Sequence, residues 1–359
     1  MDQAVFVIGC GSIGERHIRN LRSLGIATIG AFDPAPERLA RVAGTYGAIP
    51  YPDVETGLAA APDAVLVCTP PHLHLPLAWR AVDAGAHVFI EKPISHRLDG
   101  VDHLLHLAAA RSRVVCVGYN LRFHAGLRAA KALIDAGAIG PLLALRAEFG
   151  QYLPDWRPQT DYRAGYNVRA ATGGGIILDA SHELDYVRWL GGEVERVFCV
   201  AARLSDLDMD AEDTAAITLR LRGGRLAEIH LDCVQRGYAR ACKAIGQQGT
   251  LIWDLNDGVH LLPAGSATWQ RFPASADRNQ MYLDELRHFL ACVRGEAQPL
   301  VDGWTGRRVL EIALAARQSA AEGCEVPIPA PARGHAFSVP RLPDQVSMPA
   351  GAKREEIVP

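Results

Sequence analysis

The sequence predicts an α/β protein in two parts. The first is an N-terminal doubly wound parallel sheet. The second is a C-terminal α/β part with a large open, mainly antiparallel sheet. Three observations predict this. Short apolar runs alternate with helical patterns over the first 120 residues. After Gly140 the apolar period drops to two. A G-x-G-x-x-G stretch lies between the first apolar run and the first helical pattern. At 359 residues the chain exceeds the roughly 150 residues of one domain.

The elements follow in order. Ala4–Gly9 is a fully apolar run and reads as a buried parallel strand. Ile13–Leu24 reads as a helix closed by Gly25. Ile26–Phe32 is a second strand and Pro36–Tyr46 a second helix. Ala64–Cys68, His87–Ile90 and Val114–Val117 are further strands, separated by helices over Leu75–Ala84 and Leu98–Ala110. In the second part, Leu143, Leu145, Ala147 and Phe149 alternate with their neighbours. So do Ala215–Leu221 and Ala227–Cys233. Leu251–Leu255 and Val259–Leu262 flank Asn256-Asp257-Gly258, a hairpin turn. One face of this sheet is buried, and the other is open to a substrate or a subunit partner. Two late helical stripes follow, Tyr282–Val293 and Val309–Ala320. Three segments result: residues 1–120, 121–326, and a Pro- and Gly-rich tail over 327–359 expected to be loosely ordered.

Composition removes several classes of function. Lys and Arg number 37 against 40 Asp and Glu, so no basic field attracts nucleic acid or an anionic membrane. No apolar run approaches the roughly 18–20 residues of a membrane helix. The start, MDQAVFVIGCG, enters a strand-like run at once, so no secretory signal is expected. Eight cysteines occur without a C-x-x-C pair, which fits reduced thiols in a cytoplasmic protein.

Gly9-Cys10-Gly11-Ser12-Ile13-Gly14 follows a strand and opens a helix, the context of a dinucleotide-binding turn. Gly9 permits the tight turn, Gly11 lets the backbone approach a pyrophosphate, and Gly14 lets helix and strand pack closely. The helix N-terminus then faces the phosphates. Asp33 closes the second strand, where a carboxylate binds ribose hydroxyls and repels a 2′-phosphate. NAD is therefore favoured over NADP, with Arg38 nearby to blunt the preference.

Three further constellations stay open. Glu91-Lys92-Pro93 follows the fourth strand, and Lys92 is either a holder of a substrate hydroxyl or a surface ion-pairing residue. Asp179, His182 and Asp185 in TGGGIILDASHELD share one helical face if a helix starts there. They suit a general-base pair, a metal set or a capping arrangement. Gln151–Tyr166 carries Trp, Arg, Asp and Tyr in a Pro-punctuated loop. That loop is either a platform for polyhydroxylated or phosphorylated ligands or a structured surface loop.

Taken in order, the glycine turn, Glu91-Lys92-Pro93, and Gly173-Gly174-Gly175 with Asp179 and His182 resemble the Gfo/Idh/MocA oxidoreductases over about residues 4–326. Thr69, Pro70 and His74 look like that family's T-P-x-x-x-H segment near the nicotinamide. Gly118–Phe123 looks like its crossing between domains. The resemblance implies an NAD-dependent dehydrogenase or reductase acting on a hydroxyl or ketone carbon of a sugar, sugar derivative or nucleotide sugar. It implies a Rossmann domain, a homodimer or homotetramer through the second sheet, and no metal. Cofactor contacts would come from Gly9, Gly11, Ser12, Ile13, Gly14, Asp33, Thr69, Pro70, His74, Glu91 and Lys92. Lys92, Asp179 and His182 would be catalytic. Substrate would also meet Asn120, Arg122, Tyr152, Trp156, Arg157 and Tyr162.

One departure matters. The commoner family spacing is D-x-x-x-H, whereas Asp179 and His182 stand one residue closer. The D-x-S-H-E-x-D form, with Gln151–Pro158, looks like a subgroup tied to bacterial surface-sugar biosynthesis. Alternative readings on the same fold are an NAD-dependent glycosidase that recycles bound cofactor, and a non-catalytic NAD-binding sensor or corepressor.

Overall fold

The computed structural model describes residues 3–272 and 277–330. The chain divides into two compact units. The first holds the chain up to Asn120 together with Ala171–Gly173 and Asn279–Leu310. The second holds Leu121–Ala170, Gly174–Arg278 and the chain from Glu311.

In the first unit, β1 (Ala4–Ile8), β2 (Thr28–Phe32), β3 (Ile49–Pro50), β4 (Ala64–Val67), β5 (His87–Glu91) and β6 (Val115–Gly118) form one parallel sheet in the order β3-β2-β1-β4-β5-β6. Its helices are α1 (Ser12–Ser23), α2 (Pro36–Tyr46), α3 (Val54–Ala59), α4 (Pro71–Asp83) and α5 (Val101–Ala110). The inner strands are apolar throughout because both faces are covered: β4 and β6 are buried at every position. Strand order reverses between β1 and β4, and ligands bind at the carboxyl ends of such a switch point.

The sequence reading lacked β3 and α3, which are only two and six residues long. Asp53 caps α3 by accepting from the Thr56 N–H at 2.7 Å. Helix α4 starts at Pro71, not Leu75, because proline suits a first helical turn. Helix α5 starts at Val101, not Leu98, after Gly100 in the left-handed region.

The second unit contains α6 (Ala125–Asp135), β7 (Leu142–Gly150), α7 (Ile176–Asp179), α8 (His182–Gly191), β8 (Val194–Ala202), β9 (Thr214–Leu221), β10 (Leu226–Asp232), β11 (Ala239–Gly246), β12 (Gly249–Asp254), β13 (Gly258–Pro263) and β14 (Gln270–Phe272). Its nine-stranded sheet runs β14-β13-β12-β11-β7-β10-β9-β8-β15, closed at the last edge by β15 (Val326–Pro327). All pairs are antiparallel except β7 with β10. Inward residues such as Leu145, Ile217 and Ile229 are buried. On the open face Val200 and Leu226 are half or more exposed.

Two boundaries shift. Helix α9 (Gln280–Val293) belongs to the first unit, not to a second domain over 121–326. Its Leu286, Phe289 and Leu290 pack with Val5, Val7 and Phe89. The last helix, α10 (Gly303–Glu322), opens in the first unit. A Cβ at its Gly303 or Gly306 would collide with Leu105 or Val117. Past residue 326, Pro327 lies in β15 and Ile328 is buried. The rest of the expected tail, 331–359, lies outside the described residues. Among the described residues no helix is long and apolar enough to cross a membrane.

Candidate active site

The glycine turn sits at the switch point. Gly9 has φ +97°, and a Cβ there would lie 2.7 Å from the Cys68 carbonyl oxygen. A Cβ on Gly14 would lie 1.8 Å from the Gly9 carbonyl oxygen, so helix and strand meet at a distance only glycine allows. Gly11 is extended and caps α1, with nothing within 4 Å of its Cβ position. Ser12 and Ile13 open the helix, the first exposed and the second half-buried. Asp33 is buried behind this turn. It accepts from the Cys10 N–H at 2.7 Å and from the Ala35 N–H at 2.9 Å. Arg38, half-exposed, stands 3.9 Å from the same carboxylate.

Beyond β4, the Thr69 Oγ1 is buried with no hydrogen-bond partner, and Pro70 leads into α4. The buried His74 of α4 faces two carbonyl oxygens, Thr69 at 2.6 Å and Pro93 at 2.8 Å. Burial lowers its pKa below the ordinary histidine value, against the pull of those carbonyls. Glu91 ends β5 and pairs with the buried His17 of α1 at 2.7 Å, while its other oxygen accepts from the Lys92 N–H at 3.3 Å. Lys92 itself is half-buried. Burial and the Asp33 charge push Cys10 up to about 12, and burial and Glu91 push Cys68 well above its usual value.

In the second unit, Asp179 ends α7 and His182 begins α8. The helix breaks between them, so the shared helical face expected from the sequence does not form. Ala180 and Ser181 form the break. Asp179 accepts from the Tyr166 hydroxyl at 3.1 Å and from the Asn167 side-chain amide. Asp185 does not join them. Arg122 clasps it with two bonds of 2.7 and 2.8 Å, and both side chains are fully buried. Arg122, expected at the substrate, is fully buried in this pair. Among the described residues no three His, Cys, Asp or Glu side chains are grouped as a metal would require.

The loop after β7 is built from single 3₁₀ turns. Arg236 stacks on the Tyr152 ring at 3.4 Å. Trp156 donates to the Gln151 carbonyl and packs edge-on against Phe149. Arg157 is exposed, and the Tyr162 hydroxyl accepts from the Asp208 N–H at 3.1 Å. Asn120, buried, opens the 3₁₀ turn that carries Arg122.

Residues 4–119 match the oxidoreductase family with an NAD-binding Rossmann fold, and residues 127–252 match the Gfo/Idh/MocA C-terminal domain. A myo-inositol 2-dehydrogenase of Thermotoga maritima is 30% identical over 88% of this chain and 96% of its own length. The chain belongs to the Gfo/Idh/MocA oxidoreductase family. A solved UDP-N-acetylglucosamine 3-dehydrogenase from Acidithiobacillus ferrooxidans is 27% identical, with a TM-score of 0.74, covering 89% of this chain and 99% of that one. The WlbA dehydrogenase of Bordetella pertussis, solved with NADH and UDP-GlcNAcA, has a TM-score of 0.77 at 24% identity, covering 92% and 100%. That last likeness is one of fold.

This family member is an NAD-binding oxidoreductase, and its residues fit the cofactor. Gly11 leaves open space where a pyrophosphate needs backbone approach. The orphaned Thr69 Oγ1 lies at the switch point, and a buried hydroxyl wants a partner. Tyr166 ends the 151–166 loop singled out in the sequence, whereas Asn167, which also holds Asp179, was not among the residues expected at the site.

Proposed function

We propose that this oxidoreductase interconverts a secondary hydroxyl and a ketone on a sugar, polyol or nucleotide sugar. Bound NAD supplies the hydride acceptor. The chain's own residues handle the oxygen and its proton. His182 takes the hydroxyl proton as general base. Lys92 donates to the same oxygen and stabilises negative charge as it develops. Asp179 keeps the base oriented, with Tyr166 and Asn167 fixing its carboxylate.

One observation carries the reading above the others. The carboxylate that precedes His182 is anchored by a hydroxyl and an amide, while the next acid of the motif is locked to an arginine. A structural capping segment has no need of that division of labour. The named activities of the family relatives, on inositol and on a UDP-sugar, support the substrate class.

The first domain binds the cofactor, and the second binds substrate and carries the subunit interface. The exposed Val200 and Leu226 on the open sheet face support a homodimer or homotetramer. The free cysteines, seven of them buried, support a reducing cytoplasmic setting. A screen of polyols, sugars and nucleotide sugars with NAD, read as NADH absorbance, tests the reading. At least one class should yield free NADH in stoichiometric excess over enzyme. A panel that gives only enzyme-bound reduction with glycoside cleavage would replace it with the recycling glycosidase.

A further inference from the structure

We infer that His74 is a positioning residue that ties the loop after β4 to the loop that carries Lys92. The inference rests on the reading of Lys92 as the group that meets the substrate oxygen.

The geometry is confined to the first unit. His74 lies in the first turns of α4 and is 1% exposed. Nε2 stands 2.6 Å from the Thr69 carbonyl oxygen, and Nδ1 stands 2.8 Å from the Pro93 carbonyl oxygen. Both ring nitrogens face main-chain oxygens, one in the loop after β4 and one in the loop after β5. Thr69 carries the orphaned hydroxyl. Pro93 directly follows Lys92, so its carbonyl is one residue from the Lys92 main chain. The opposite side of the same turn is held by Glu91, through His17 and the Lys92 N–H. His74 is therefore the strut on one side of Lys92, and Glu91 with His17 the strut on the other.

Both partners are carbonyl oxygens, which only accept. A ring nitrogen that carries hydrogen donates to its carbonyl. A nitrogen that does not still fills the space and keeps water out. Removing the ring leaves two strand-end carbonyls without their buried partner and frees both loops to move apart. A 1 Å misplacement of a reacting group is enough to lower turnover strongly.

The two arms can be cut separately. An asparagine amide sits two bonds from Cβ, like Nδ1, and keeps the Pro93 contact. A glutamine amide sits three bonds from Cβ, like Nε2, and keeps the Thr69 contact. The test uses the full-length enzyme with NAD and the substrate found by the screen. It compares His74→Asn, His74→Gln and His74→Phe by kcat, substrate KM and NADH Kd, with thermal melting of each. His74→Gln should keep NADH affinity within about twofold and lose kcat by about three- to tenfold, the range of one hydrogen bond. His74→Asn should keep kcat and weaken NADH by a similar factor. His74→Phe should lose both. Asn and Gln variants that behave alike, whether both wild-type or both equally impaired, would overturn the strut. Lys92→Ala is measured in parallel. Wild-type turnover there would sink the role of Lys92, while the differing NADH affinities of the Asn and Gln variants would still decide the tie between the loops.

Discussion

The two units hold their chemistry-bearing side chains in different ways. In the first, Glu91 pairs with the His17 side chain, but the two groups nearest the loops are held by main-chain groups. Asp33 accepts from the Cys10 and Ala35 N–H groups, and His74 faces the Thr69 and Pro93 carbonyls. In the second, the partners are side chains from other elements. Asp179 meets Tyr166 and Asn167, Asp185 meets Arg122, and the fully buried Glu183 meets Arg240 at 2.8 Å. Main-chain partners come with the fold and survive most substitutions. Side-chain partners vanish with one codon. The first unit should therefore report mutations as changes in affinity or turnover, and the second as changes in folding as well.

The largest effect tests the comparison across both units. Lys92→Ala and His182→Ala should each lower turnover by about 10²–10⁴, the range for a positioned acid–base group. NADH affinity should hardly move in either. Single-turnover measurements at saturating NAD read this directly. Near-normal turnover in His182→Ala beside a dead Lys92→Ala would move the base to Lys92, or to a tyrosine of the 152–166 loop.

Next comes Arg122, whose removal leaves Asp185 buried without its guanidinium. Arg122→Ala should destabilise the protein by about 3–5 kcal/mol, seen as a lowered midpoint in chemical unfolding. The double variant Arg122→Leu with Asp185→Leu should recover much of that loss, since an apolar pair carries no stranded charge. A single variant as stable as wild type would show that the second unit does not depend on its side-chain partners.

The same contrast explains how much was legible. The parallel sheet and the glycine turn were readable because apolar runs alternating with helical patterns, and a glycine spacing of six residues, are local signals. Strand alternation gave the second sheet, but not the parallel β7–β10 pair, which depends on where a distant strand inserts. Asp179 and His182 stood out as candidates by residue type, yet the break between α7 and α8 did not. The pairing of Arg122 was not legible for the same reason. Nothing near it in sequence announces a carboxylate 63 residues away. Helix α9 looked like part of the second unit because the chain reaches it last, while its apolar stripe packs with β1 and β5.

A pH effect of intermediate size distinguishes the units again. His124 caps α6 through Nδ1, which accepts from the Leu127 N–H. Burial, with Arg240 and Arg278 nearby, lowers its pKa from 6.5 to about 4. The unfolded chain therefore binds the proton more tightly than the folded one. Stability from this group is complete above pH 6.5 and is lost as pH falls toward 4, by at most about 3 kcal/mol. His124→Asn keeps a capping acceptor and removes the titration. The stability difference between wild type and variant should shift across that window and stay flat above it. A difference that is constant from pH 7 to pH 4 would remove His124 from the acid limb.

The smallest effect lies in the first unit and concerns cofactor choice. A carboxylate beside the ribose hydroxyls repels a 2′-phosphate, so NAD(H) should bind at least about tenfold tighter than NADP(H), about 1.4 kcal/mol. Asp33 also holds the glycine turn through the Cys10 N–H, so its two roles need separate variants. Asp33→Ala removes charge and support together. It should weaken NADH and narrow the gap to NADPH. Asp33→Asn removes the charge but keeps an amide oxygen for the Cys10 N–H. It should narrow the gap while losing less NADH affinity. Arg38, 3.9 Å from the carboxylate, is placed to pair with the phosphate once the negative charge is gone. Adding Arg38→Ala to Asp33→Asn should therefore reopen part of the gap. Fluorescence titration of the four proteins with NADH and NADPH gives every value needed. Equal affinities in the wild type would show that Asp33 serves the turn alone, and that the preference is set elsewhere in the loop.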